Sequence, residues 1–162
     1  MKFYYTITSA LIVFIIITSF TSNDVTADTQ IPYPEGYRRW THIKSGLLSQ
    51  DHPKVKYRGF NHVYANDKAF QGYESGTFPE GSIIVFDVVK STTINDNYTA
   101  EGGRDHIDVM VKDEAKFPTT GGWGYAQFDE NNTAKILTDI QVIQCYNCHL
   151  TQSDHVFSQF RK

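Results

Sequence analysis

A chain of 162 residues with a formal net charge of −3 has the length for one ordinary core and carries no strong charge excess. One domain is therefore expected, and a nucleic-acid or anionic-membrane partner is not implied, since either calls for a basic surface. Aromatic side chains make up 14%. That suits a core wrapped around a flat apolar cofactor and an aromatic β core equally.

Residues 1–27 read as a secretory signal. Lys2 supplies the positive start, Ala10 to Ile17 the apolar centre, and Val25-Thr26-Ala27 the small-x-Ala form that precedes cleavage. The rival reading is an uncleaved anchor, because Phe3 to Phe20 is nearly long enough to span a bilayer. Threonines and serines interrupt that run and favour cleavage. Residues 28–162 then form the mature domain.

That domain opens irregularly, with Pro32, Pro34 and Gly36 close together. Arg38 to Leu48 is expected to be a short helix, since Trp40, Ile43 and Leu47 fall on one side at helical spacing. His52-Pro53 breaks what precedes it. Phe60 to Ala65 alternates as a strand. Asn66 to Tyr73 follows as a helix, with Asn66 or Asp67 as N-cap and Gly76 as stop. After the Phe78-Pro79-Glu80-Gly81 turn, Ser82 to Val89 is β-branched and aromatic, the clearest strand in the chain. Ser91 to Gly103 is polar and reads as a hairpin loop or a longer excursion. His106 to Lys112 and Gly121 to Phe128 are further strands, Asp129 to Thr133 is a turn, and Lys135 to Ile143 has mixed β-like character. Strands outnumber helices.

The next stretch, Cys145-Tyr146-Asn147-Cys148-His149, uses both cysteines of the chain and has the C-x-x-C-H form of covalent c-type haem attachment. On a helical turn, positions i, i+3 and i+4 share one face, so two thiols and an imidazole can address one porphyrin. Cys145 and Cys148 would form thioethers with the haem vinyl groups, and His149 would be the proximal iron ligand. A thioredoxin-like C-x-x-C lacks its βαβ context, a zinc site lacks further ligands, and a disulfide leaves His149 unexplained. Export agrees with haem c, because its attachment takes place outside the cytoplasm; the expected compartment is the periplasm.

The sixth iron position decides the job of such a protein. Met110 lies mid-strand between valines and reads as core filler. His42, His52, His62, His106 and His155 each read as surface or hydrogen-bonded residues. An open or water-filled sixth position is therefore expected, one that takes a small molecule as ligand.

The segment from Tyr33 to Arg161 resembles the cytochrome P-460 family. The matching stretches are Tyr37-Arg38-Arg39-Trp40-Thr41-His42, Asn61 to Asn66, Phe78 to Ser82, Val109 to Asp113, Gly121 to Tyr125, Cys145 to His149 and Val156-Phe157-Ser158. The resemblance implies an α+β fold, a predominantly antiparallel β-sheet with a few short helices. It also implies a homodimer and one haem c per chain near the C-terminus, with an open distal face. Family activities are hydroxylamine and nitric oxide oxidation, and the related cytochromes c′-beta bind nitric oxide or carbon monoxide. Founding members tie a lysine to the haem edge. Phe86 stands at that place here, as in the cytochrome c′-beta arrangement, while Lys90 keeps the same strand parity four residues on.

By the same resemblance Asp108 stands where active members carry a distal carboxylate, and burial beside haem would raise its pKa. An ordinary outward strand residue is the alternative. Arg104 is a weaker candidate for a propionate or distal water, surface arginine being the default. Three functions follow as expectations: an enzyme acting on hydroxylamine or nitric oxide with an unidentified electron-transfer partner, a gas-binding protein, and an electron carrier.

Overall fold

The structure is a computed structural model and describes residues 30–135 and 137–161. The expected signal segment, residues 1–27, lies outside the described residues. Six antiparallel strands form one meander in the order β1-β2-β3-β4-β5-β6. They are β1 Thr41–Leu48, β2 Gly59–Ala65, β3 Ile83–Asn95, β4 Tyr98–Lys112, β5 Trp123–Asp129 and β6 Ala134–Lys135. Two helices, α1 Asp67–Ser75 and α2 Asp139–His149, and four 3-10 turns complete the architecture, so the α+β expectation holds.

Both sheet faces are covered, which is why β3 reads as a near-continuous apolar run. One face packs Val63, Ala65, Ile84, Met110 and Trp123 against Ala69 of α1, Phe78, and Val156 and Phe160 of the C-terminal tail. The other packs Val85, Ile107, Val109 and Phe128 against the N-terminal segment through Ile31, Tyr33 and Tyr37. Gly72 lets α1 approach closely, because a Cβ there would collide with the Phe78 ring.

Asn66 ties three elements together. Its Oδ1 accepts from Ala69 N in the first turn of α1 (2.9 Å) and from Ile83 N at the start of β3 (3.0 Å), and its Nδ2 donates to Gly81 O (3.0 Å). Asn66→Ala removes the cap and leaves partly buried backbone N–H groups unpaired. A loss of about 1–2 kcal/mol is expected in chemical denaturation, at the upper end for an N-cap.

Three local expectations are corrected. Arg38 to Leu48 is not a helix: a 3-10 turn at Tyr37–Arg39 leads into β1, which pairs with β2 from Thr41↔Ala65 to Leu48↔Gly59. Trp40 joins the cluster on one face and Ile43 the cluster on the other, so the helical spacing was coincidental. Ser91 to Gly103 is no loop, because β3 and β4 run on as a ribbon to a two-residue turn between Asn95 and Tyr98. In the segment expected to have mixed β-like character from Lys135 to Ile143, Lys135 ends β6 but Asp139 to Ile143 is helical. Thr138 accepts from Gln141 N while Gln141 Oε1 accepts from Thr138 N, a capping box that starts α2 at Asp139. Among the described residues no helix is long and apolar enough to cross a membrane.

Candidate haem site

The last two turns of α2 carry Cys145, Cys148 and His149, as the motif requires. Both thiols are free, Cys145 half-buried and Cys148 exposed. No residue of α2 is buried, although the helix runs eleven residues; Ile140 and Ile143 are 71% and 42% exposed. An amphipathic helix normally buries one face, and here protein does not supply that cover.

His149 has the hydrogen bonding and charge state that a metal-ligating imidazole needs. Its Nδ1 donates to the carbonyl of His155 (2.7 Å), which sets the tautomer and leaves Nε2 with its lone pair. Burial lowers its pKa, which keeps the ring neutral as metal binding requires. Tyr125 and Phe157 hold the ring from two sides, at centroid distances of 5.4 and 4.9 Å.

The turn that delivers the His155 carbonyl is strained. Asp154 and His155 have φ of 44° and 61°, in the left-handed region that costs a side chain about 1–3 kcal/mol. Asp154 compensates by anchoring it: one carboxylate oxygen accepts from Phe78 N (2.7 Å), the other from Lys112 Nζ and Trp123 Nε1 (both 3.4 Å). Gly121 makes room, since a Cβ there would meet the His155 ring. Neither Asp154 nor Lys112 stood out in the sequence, where they are ordinary charged residues far apart.

Sheet register brings Phe86 and Asp108 together. They are direct partners across β3 and β4, and Asp108 pairs in turn with Gln127 on β5. Directly paired residues project from the same side of a sheet. That side is the one carrying Met110, Tyr125 and α2, so Asp108 points inward. Gln127 Nε2 donates to Asp108 Oδ1, Lys56 Nζ lies 3.5 Å from the same oxygen, and His106 Nε2 lies 3.8 Å from Oδ2. Tyr57 packs edge-on against Phe86 at 5.8 Å. Cys145 belongs to the same neighbourhood: burial raises its thiol pKa, and the Asp108 carboxylate adds to that rise.

The expected rise in the Asp108 pKa is reversed. Burial does push it up, but the neighbouring His106 imidazole, the Lys56 charge and the Gln127 amide together hold the carboxyl below its ordinary value. The side chain keeps 29% of its surface exposed, so desolvation is partial and the partners win.

The other candidates go elsewhere. Arg104 is on the opposite face: Nη1 donates to Tyr33 Oη (3.1 Å) and to Asn132 Oδ1, and Nε lies 3.8 Å from the fully buried Asp87. Asp87 also accepts from Tyr37 Oη (2.7 Å) and Arg38 Nε (2.8 Å), a cluster that pins the N-terminal segment to the sheet. Lys90 pairs with Glu130 at 3.1 Å, both about half exposed. Irregular register around Val89 breaks the strand parity that linked it to Phe86. Met110 sits in the core. His42 and His62 bond to Ser45, and His52 accepts from Lys54 N. Lys56, Tyr57, Gln127 and Tyr125 escaped sequence reasoning; only the i, i+2 spacing of Tyr125 and Gln127 hinted at a shared face.

These residues fit a haem c. Two free thiols and a neutral imidazole share a helix end, the helix face lacks protein cover, and the Tyr125 hydroxyl beside it is buried without a partner. The family model of cytochrome P460 matches residues 34–158. No curated protein matches the chain.

Proposed function

The chain belongs to the cytochrome P460 family, and from that premise we propose that it is an exported mono-haem c-type protein of the periplasm that binds and oxidises a small nitrogen compound, hydroxylamine first. Cys145 and Cys148 would hold the haem and His149 would ligate its iron. Bound there, the haem supplies a centre that takes the ligand and passes its electrons to an acceptor. The observation that carries the oxidative reading is Asp108: an inward carboxylate, kept ionised by Lys56, His106 and Gln127, on the sheet face that also carries α2. An ionised carboxylate accepts protons, which oxidising hydroxylamine must release. Phe86 and Tyr57 present an apolar wall beside it, which limits water and favours small ligands.

Phe86 also supports a second reading, a nitric oxide or carbon monoxide binder like cytochrome c′-beta. Binding a neutral diatomic needs an apolar pocket and no proton acceptor. Nothing favours an electron carrier to the same degree, since Met110 is committed to the core and His42, His52 and His62 to local hydrogen bonds. A homodimer and an unidentified electron-transfer partner complete the proposal.

The test is turnover of hydroxylamine by the haem-loaded protein with an artificial oxidant, beside titration with nitric oxide. Turnover is the expected result. Tight nitric oxide binding without turnover would replace oxidation with the gas-binding reading.

A further inference from the structure

Two successive left-handed residues are unusual outside glycine, yet Asp154 and His155 adopt that conformation side by side. The turn they make brings the His155 carbonyl back onto His149, whose Nδ1 lies 2.7 Å from it. Strain of this kind persists only where the surroundings impose it, and it gathers at functional sites. Here the imposing contacts converge on Lys112 at the end of β4. Its side chain is only 9% exposed. Nζ donates to Asp154 Oδ1 (3.4 Å) and to Gly121 O (3.1 Å), and it lies 5.5 Å from the centre of the Trp123 ring.

One buried cation therefore holds both sides of the strained turn. It holds the carboxylate of the first left-handed residue, and it holds the Gly121 backbone, where a Cβ would meet the ring of the second. Asp154 then ties the turn to Phe78 N, before β3, and to Trp123 Nε1, on β5. The only other anion at Lys112 among the described residues is Glu114, 3.7 Å away and 73% exposed. A buried ion pair is weak ground for stability, since apolar residues of similar volume often serve as well. Its place beside His149 gives it another use.

We propose that the Lys112–Asp154 pair positions the iron ligand: it fixes the strength of the His149–His155 hydrogen bond, and so how strongly the imidazole donates to haem iron. This rests on His149 as the ligand and is independent of which small molecule is bound. A hydrogen bond given by Nδ1 makes the ring a more basic ligand. A more basic ligand favours ferric iron and lowers its potential, so a looser turn raises it. Asp154 and Lys112 are positioning residues, acting only through the His155 carbonyl.

The test uses the full haem-loaded protein, ferrous and free of added ligand. Resonance Raman reads the iron–histidine stretch, and a redox titration reads the midpoint potential. Asp154→Ala and Asp154→Gly remove the same charge and the same anchor, but only alanine keeps the cost of a left-handed backbone. Asp154→Ala should move the stretch to lower frequency and raise the potential, and Asp154→Gly should recover most of the frequency. A stretch unmoved in Asp154→Ala, or no higher in Asp154→Gly than in Asp154→Ala, would overturn the proposal. Lys112→Met decides by sign and reports even if the Asp154 variants fold poorly. As a bare charge, its loss would lower the potential; as a clamp on the turn, its loss should raise the potential and lower the stretch. A lowered potential with an unmoved stretch would likewise overturn the proposal. Failure of the ligand assignment looks different: wild type itself would show no iron–histidine stretch, and the proposal would fall with it.

Discussion

Replacing Cys145 and Cys148 together with alanine should convert a haem that survives acid-acetone extraction into one that leaves completely with the solvent. The expected effect is all or none, because a thioether is covalent and anything that remains in the variant is not. Both thiols are free and lie one turn apart on α2, and the chain has no other cysteine to substitute. Each single variant should keep one thioether and so keep its colour in acid acetone. His149→Ala should likewise stay coloured while its iron spectrum changes, since the ring ligates and does not tether. Intact mass should equal polypeptide plus haem with two thioether additions. Lys90 is engaged with Glu130 at the surface, so no peptide joining Lys90 to the haem is expected after digestion. Extraction of colour from wild type would remove the thioether assignment, and a lysine–haem peptide would return the founding members' cross-link to consideration.

Asp108→Ala should cost about 10²–10⁴-fold in hydroxylamine turnover, the range for a positioned proton acceptor. Nitric oxide affinity should change far less. The sign of the pH dependence follows from the depressed pKa. Asp108 remains an acceptor above the ordinary carboxylate value, about 3.9 for aspartate, and loses that role only as pH falls through its lower folded value. The ion-pair contribution of Asp108 to stability runs the same way, present above the unfolded pKa and lost on acidification. With Lys56→Met the acid limb of turnover should move to higher pH, because one of the partners holding the carboxyl down is gone. Unchanged turnover in Asp108→Ala would take that residue out of the mechanism.

Local chemistry made part of the molecule legible from residues alone. The C-x-x-C-H motif is a five-residue pattern whose geometry a helix dictates, so Cys145, Cys148 and His149 could be singled out as the candidate haem site before any fold was known. Asn66 and Gly76 mark the ends of α1 through cap chemistry that needs only neighbours along the chain. The β-branched run from Ser82 to Val89 could hardly be anything but a strand. Where local signals competed, the sheet decided. Trp40, Ile43 and Leu47 keep helical spacing, yet pairing with β2 made that segment an edge strand. The Thr138–Gln141 capping box was there to be read, but the apolar residues after it mimicked a strand.

What the sequence determined by itself was the α+β class and the family, with the C-x-x-C-H motif as the candidate attachment site, because each rests on short patterns or on their order. What only the tertiary structure decided was which side chains meet. Phe86 and Asp108 are 22 positions apart and become partners through the β3–β4 register. Gln127 joins from β5, Lys56 from a 3-10 turn, and Arg104 is sent to the other face. The charge state of Asp108 was decided there too. Burial alone predicted a raised pKa, but its partners come from separate segments, and their combined field outweighs the desolvation of a half-open carboxylate.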